Sequence, residues 1–292
     1  MSEDYAVRAT VRSGVLLAFA ARTTELVQEL QRRHHTWPVA TAALGRTVTV
    51  GAMMGLMLKG ERDRLTIQIK GNGPLGQIVV DADSRGNVRG YVDNPAVDLP
   101  LNARGKLDVA GAVGEGMLYI VKDLGLREPY RGSVPLVSGE LGEDFTYYFT
   151  TSEQIPSAVG VGVLVDRDGS VLASGGFILQ LLPGADEEMI TLLEERISAM
   201  DSVTDRIQSG ATPEDLLREV VGEEVQVLQR QPVSFDCSCS PERIRSLLKS
   251  MGKEEISDIL KSRGEAEVVC HFCNERYVVE KAELEEWLGE TE

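Results

Sequence analysis

The sequence predicts an α+β N-terminal domain with an antiparallel sheet and packed helices, then a helical linker, then a small C-terminal domain built around cysteines. Three observations predict it. Apolar residues recur at helical spacing between Thr23 and Gly60, and from Leu65 the period changes to strand-like alternation. From Asp186 to Glu224 the chain becomes acidic while helical spacing persists. All four cysteines of the 292-residue chain lie in its last 56 residues. At this length, with 42% hydrophobic residues, a chain can bury roughly three quarters of its unfolded surface, enough for one large domain and a smaller one.

Near the N-terminus, Arg8 and Arg12 precede the apolar run Val15 to Ala21, which superficially resembles a signal peptide. The run is minimal in length and Glu3 and Asp4 dilute the positive region, so it reads as a buried strand or helix start. Thr23 or Thr24 caps a helix to about Arg33 with Leu26, Val27 and Leu30 on one face, and Pro38 opens a second helix that stops near Gly60. Val39 to Leu58 is long enough to span a bilayer, but Arg46 and its glycine and hydroxyl residues favour a buried helix. Leu65–Lys70, Gln77–Val80 and Val88–Val92 form an antiparallel meander, with Ser84-Arg85-Gly86-Asn87 as one turn. Further strands are expected at Phe145–Thr150, Val159–Val165 and Val171–Ala173, the last two joined at Asp166-Arg167-Asp168-Gly169. The domain bounds that follow are 1–180 for the α+β core, 181–230 for the acidic amphipathic linker and 231–292 for the cysteine-bearing domain.

Several motifs have plain structural readings. Gly71-Asn72-Gly73-Pro74-Leu75-Gly76 matches a dinucleotide glycine pattern, yet a β-branched strand follows it where the phosphate site needs a helix N-terminus. It reads as a hairpin connection. Asp81 and Asp83 share one strand face and read as a solvated strand end, while Asp166 and Asp168 lack the other oxygen ligands of a calcium loop. His34 and His35 suit a helix C-terminus. With no nucleophile elbow, no phosphate loop and three histidines in all, nothing supports a hydrolase or kinase, and the chain reads as a non-enzyme. A formal charge of −16 repels phosphate backbones and anionic headgroups, so neither nucleic acid nor membrane is an expected partner.

From Asp186 to Glu224 the linker carries twelve acidic residues against Arg196, Arg206 and Arg218, a local charge of −9. Met189, Leu192, Leu193 and Ile197 mark one short amphipathic helix; Leu216, Leu217 and Val220 mark another behind Thr212-Pro213-Glu214-Asp215, an imperfect capping box with Asp where Glu is usual. Such helices repel themselves and depend on docking.

Cys237-Ser238-Cys239, thirty residues, then Cys270-His271-Phe272-Cys273 is the strongest signal. Clustered cysteines in an otherwise cysteine-free chain read as a metal site in a reducing cytosol rather than as a disulfide framework. Four soft thiolates match tetrahedral zinc, one ion per chain, in a closed site with no position left for substrate. That makes the C-terminal domain a small zinc-binding one. Between the pairs, Ser240 caps and Pro241 starts a helix to Ser250, a second helix ends at Gly264, Val268-Val269 and Tyr277–Val279 form a hairpin, and Leu284, Trp287 and Leu288 lie on a closing helix. So few apolar residues leave the core dependent on its metal. A Cys237–Cys239 disulfide would be strained, since a strand separates these residues by roughly 6.5 Å, whereas a Cys270–Cys273 bond forms easily.

The cysteine arrangement, with Cys270 to Tyr277 as CHFCNERY, resembles the bacterial thirty-three-kilodalton heat-shock protein family of redox-regulated chaperones. Gly73–Gly76 through Asp81-Ala82-Asp83, Gly90-Tyr91-Val92, Val134–Glu140 with Asp144–Tyr148, and Ser152–Val161 carry the likeness through the N-terminal domain. The resemblance implies an ATP-independent holdase for unfolded proteins in the cytoplasm under oxidative stress. It implies Cys237, Cys239, Cys270 and Cys273 as zinc ligands in an inactive reduced form. On oxidation it implies redox-active disulfides between neighbouring cysteines, zinc release, linker unfolding and a homodimer. The runner-up is a static zinc-ribbon adapter, although residues 237–292 carry 8 basic and 13 acidic side chains, which argues against phosphate contacts. A thiol oxidoreductase is third, and its C-x-x-C requires a βαβ context.

Overall fold

The computed structural model describes residues 4–11 and 14–289, so Glu3 and Arg12 of the leader-like stretch lie outside the described residues. The chain forms two compact units, one running to Asp236 and the other spanning Cys237–Glu292. The first unit runs β1 (Tyr5–Val11), β2 (Leu16–Arg22), α1 (Thr24–His34), α2 (Pro38–Gly55), β3 (Arg64–Gly71), β4 (Gln77–Asp83), β5 (Asn87–Val92) and α3 (Val109–Val113). It continues with β6 (Gly116–Asp123), β7 (Tyr130–Pro135), α4 (Gly142–Thr151), β8 (Ser157–Val165), β9 (Val171–Leu181), α5 (Glu187–Ala199), α6 (Val203–Gln208), α7 (Pro213–Val221), β10 (Val225–Pro232) and β11 (Ser234–Phe235). The second holds α8 (Pro241–Lys249), α9 (Lys253–Arg263), β12 (Ala266–Val269), β13 (Arg276–Val279) and α10 (Lys281–Gly289). The α+β class with antiparallel sheets is as expected.

Two sheets make the first unit, ordered β10-β1-β2-β9-β8 and β11-β5-β4-β3-β6-β7. The predicted meander is the centre of the second sheet, where Leu65, Ile67, Ile69, Ile78, Val80 and Ala82 alternate onto the core side. Helix α2 packs against strands of both sheets, which is why it is apolar nearly all round. Its hydroxyls are absorbed locally: Thr47 and Thr49 donate to the carbonyls of Ala43 and Gly45. Gly45 is needed because a Cβ there would lie 2.7 Å from Val163 and 2.8 Å from Val27. Among the described residues no helix is long and apolar enough to cross a membrane.

The first sheet is covered on both faces. Phe19, Ala21 and Ile178 point to the α1–α2 side, while Val7, Ala9, Ala18, Ala20, Phe177 and Leu179 meet Met189, Leu193, Leu217, Val220 and Val221 of α5 and α7. Strands buried on two faces lose the alternation that marks a one-sided strand. The leader-like run accordingly proves to be β2, and β9 extends from Val171 to Leu181, well past Ala173.

One expected strand is a correction: Phe145–Thr150 belongs to helix α4. Its aromatic residues suggest β propensity, but Phe145, Tyr148 and Phe149 are buried at helical spacing. The buried Asp144 carboxylate gathers the amides of Val137, Ser138, Gly139 and Leu141 at 2.7–3.3 Å, which fixes the entry to the helix. The second helix also stops earlier than Gly60, at Gly55, where a Cβ would lie 2.6 Å from the Asp83 carbonyl.

The glycine motif at 71–76 connects β3 to β4 as a hairpin. Asp81 is paired with Arg89 at 2.8 Å and accepts from Thr66, and Asp83 accepts from Arg85 and Asn87, so both carboxylates serve the sheet. The capping box at Thr212 closes in both directions, Asp215 reaching the Thr212 amide at 3.0 Å despite its shorter side chain.

Candidate metal centre

The second unit brings the four cysteines together from two places. Cys237 and Cys239 lie on the extended stretch before α8, whose start is fixed by Pro241 and by Ser240 accepting from the Arg243 amide. Arg243 also donates to Ser238 Oγ at 3.1 Å, holding the residue between the two thiols. Cys270 and Cys273 occupy the turn between β12 and β13. There the Cys270 amide donates to the Glu275 carbonyl (3.0 Å), the Asn274 amide donates to the Cys270 carbonyl (2.8 Å), and Asn274 takes a left-handed φ of 58°. Asn tolerates that conformation better than most residues, so the turn is encoded beside the thiols it aims.

The four sulfurs lie within 4.8 Å of one another. Cys239 Sγ is 3.1 Å from Cys273 Sγ, and Cys237 Sγ is 3.8 Å from Cys270 Sγ. These separations exceed a disulfide bond, and none of the four is in a disulfide. They bracket the edge of about 3.8 Å that a tetrahedron of thiolates has around a metal with 2.3 Å bonds. The cluster can therefore hold one metal ion.

Its electrostatics ask for a cation. Burial pushes the Cys239 thiol up from the ordinary cysteine range, and Tyr277 Oη, donating at 3.0 Å, draws it partly back. Burial, then the neighbouring Cys239, pushes Cys273 up strongly, against a lowering hydrogen bond from the Glu275 amide. Crowded thiols of this kind become thiolates only when a positive charge sits among them. Tyr277 is the contact that sequence reading missed: it was placed on the hairpin as a strand residue, four positions beyond Cys273, with no role assigned to its hydroxyl.

Around the cluster, Ile244, Leu248, Ile256, Ala266, Val279, Leu284 and Trp287 form the buried core of the unit, with Lys249 Nζ 5.0 Å from the Trp287 ring centroid. Arg245 pairs with Glu283 at 2.7 Å between α8 and α10. The expected helices, hairpin and closing helix are all present.

A two-sheet α+β unit followed by a small unit organised on four thiols defines a class of two-part proteins with a cysteine-built second part. The chain belongs to the Hsp33 family, whose model, described as "Hsp33 protein", matches residues 4–280. It is 56% identical over 283 residues to the 33 kDa chaperonin of Bacillus subtilis strain 168, covering 97% of each chain. It is 59% identical over 285 residues to the 33 kDa chaperonin of Geobacillus kaustophilus, again covering 97% of each. The crystal structure of the 33 kDa chaperonin (heat shock protein 33 homolog) of Thermotoga maritima superposes with a TM-score of 0.92 at 41% identity, covering 99% of this chain and 98% of that one.

Proposed function

We propose that this chain is a redox-regulated, ATP-independent chaperone, a holdase for unfolded proteins in the cytoplasm under oxidative stress, and not an enzyme. Membership of a 33 kDa heat-shock chaperone family supports the chaperone reading. The observation that carries the redox reading is the cluster itself: four thiols within 4.8 Å of one another and in no disulfide, in a unit whose buried core is seven residues among those described. Cys237, Cys239, Cys270 and Cys273 are the proposed ligands of one Zn2+, which the tetrahedral all-sulfur donor set suits. When bound, the ion keeps all four sulfurs as thiolates and supplies most of the folding free energy of the unit.

In the proposed switch, two thiolates give two electrons to a peroxide, which takes up two protons and leaves as two waters while an S–S bond forms. Three of the four cysteines are only half-buried, so a small oxidant reaches them. Neighbouring pairs, Cys237–Cys239 and Cys270–Cys273, close within their own segments and leave nothing tying the two segments together. Residues 181–230 act as the linker. Within them Asp186–Glu224 carries a charge of −9, and the helices rest on the first sheet through Met189, Leu193, Leu217, Val220 and Val221. Undocking exposes that apolar face and the sheet beneath it to unfolded clients, and the active form is a homodimer. Nucleic acid and membrane are not partners of a chain carrying −16.

The test is suppression of aggregation of a chemically unfolded client without nucleotide, comparing reduced zinc-loaded protein with peroxide-treated protein. Suppression by the oxidised form alone, with release of one zinc per chain and neighbour-paired disulfides by mass spectrometry, is the expected result. Crossed pairs, Cys237–Cys270 and Cys239–Cys273, would staple the unit instead of releasing it, and would overturn the switch. Equal behaviour of the two forms would leave a static zinc adapter.

A further inference from the structure

After β10 the chain crosses from the edge of the first sheet to the edge of the second. At the crossing the Val233 amide donates to the Asp4 carbonyl (3.1 Å). Ser234–Phe235 then lie parallel to Asn87–Val88 of β5, with the Ser234 amide donating to Gly86 O at 3.1 Å and the Asp236 amide to Val88 O at 3.3 Å. Gly86, at φ 86°, is what allows this approach, because a Cβ there would sit 2.1 Å from the Pro232 carbonyl.

Side chains along the crossing alternate. Pro232, Ser234 and Asp236 are exposed, while Val233 is buried in the main core at 1% and Phe235 packs against that core. Phe235 also lies under the Arg33 guanidinium of α1, 4.4 Å from ring centroid to guanidinium carbon. Backbone bonds to a sheet edge, with alternate side chains in two pockets, are how sheet edges bind extended peptides. The tenant is short: the ladder spans two residues while β5 runs on to Val92. Directly after it comes Cys237.

We propose that the β5 edge is a peptide-binding site, occupied in cis by Val233–Asp236 and open in trans to an extended segment of an unfolded client with an apolar residue, any residue, then an aromatic one. This rests on the client-binding reading above and names a place on the molecule where clients bind. The tenant defines the ligand, since Val233 and Phe235 show which side chains the two pockets accept. An unfolded chain offers such triplets often, whereas a folded one hides them in its own strands.

The probe is a fluorescent peptide of sequence Gln-Pro-Val-Ser-Phe-Asp, with a control carrying Ser in place of both Val and Phe. It is titrated into full-length, reduced, zinc-loaded protein. Wild type should bind it weakly, and Phe235→Ala, which empties one pocket, should bind it at least tenfold more tightly. Adding Arg33→Ala to that variant should weaken binding again, and the control peptide should bind none of them. Independently of any substitution, excess peptide should speed amide exchange at Ser234 and Asp236 of wild type, as displacement of the tenant requires. Equal binding of both peptides, or no binding by Phe235→Ala together with unchanged exchange in wild type, overturns the proposal. No oxidant or client enters these measurements, so failure of the redox switch and failure of this site give different results.

Discussion

Residues up to Asp236 and the unit from Cys237 onward are folded by different forces. The first unit has apolar side chains on both faces of one sheet and one face of another, with α2 packed against strands of both. It holds no cysteine, and one buried hydroxyl cluster, Thr23, Thr49 and Ser174, is hydrogen-bonded together at 2.6–3.4 Å. Among the described residues the second unit has seven buried core residues, one of them an alanine, arranged beside four thiols. A unit of this size sits at or below the length at which apolar burial alone sustains a fold. All four thiols of the chain therefore belong to the unit with the smaller core.

The sharpest test of this contrast is metal removal. Stripping the metal by chelation under reducing conditions, or substituting Cys273→Ser, should remove on the order of 10 kcal/mol from the second unit and leave it unfolded. Amide protection in α8, α9 and α10 should vanish while that of β1–β4 and α2 stays as it was. Limited proteolysis should then cut after about Gln229 and spare residues 1–180. Persistent protection of α8 and α10 in the metal-free protein would mean the small core suffices, and the contrast would fail.

The legibility of the chain follows the same division. In the second unit every element was readable, because each is bounded by local chemistry: Ser240-Pro241 opens α8, Gly264 closes α9, and cysteine spacing marks the site. In the first unit the one-sided meander was readable by its alternation, α1 by the apolar face of Leu26, Val27 and Leu30, and α2 by Pro38 in its first turn, although the expected threonine cap of α1 makes no side-chain hydrogen bond. β1 and β10 were not. β1 alternates only over Val7, Ala9 and Val11, a stretch too short to stand out, and β10 is an exposed edge strand with polar residues, interrupted by an irregularity opposite Arg8 and Ala9. Their pairing joins residues more than two hundred positions apart, a contact no local pattern reports. Tyr277 escaped for a related reason: its hydroxyl matters only through where the hairpin places it, against Cys239.

A pH experiment sharpens the comparison from the side of the first unit. Asp4 is 1% exposed, and its carboxylate accepts from the Leu26 amide at 2.7 Å. Burial, the largest influence, raises its pKa from 3.8 to about 7, with the Leu26 amide opposing, Glu25 adding and Arg22 subtracting. In the folded state the group therefore holds its proton between about pH 4 and pH 7, where the unfolded chain has already lost it. This contribution favours folding at low pH, declines as pH rises through that window, and is flat above it. Asp4→Asn keeps an acceptor for the amide and removes the charge. It should raise the stability of the first unit at pH 8 by an amount on the order of a few kcal/mol, and leave it nearly unchanged at pH 4. Denaturant unfolding of both proteins at pH 4, 6 and 8 measures this, and parallel curves would refute it. Metal content at pH 8 should be the same in both.

The smallest expected effect asks whether anything other than metal holds the second unit together. Arg245 and Glu283 form its most developed ion pair, with Nε to Oε1 at 2.7 Å and Nη2 to Oε2 at 3.4 Å, joining α8 to α10. Two-pronged geometry is the favourable kind. Both side chains are well exposed, at 41% and 30%, so water and salt screen the attraction, and ordering two long side chains opposes it. The coupling between them should be small in the metal-loaded protein and should fall on going from low to high salt. A double-mutant cycle of Arg245→Ala and Glu283→Ala, read from the midpoint of chelator-induced unfolding, isolates this coupling from the loss of Arg245 packing. A coupling several times larger, insensitive to salt, would make the pair a second clamp. The unit would then outlast its metal, and the thiols would have to be oxidised in a structure that does not open.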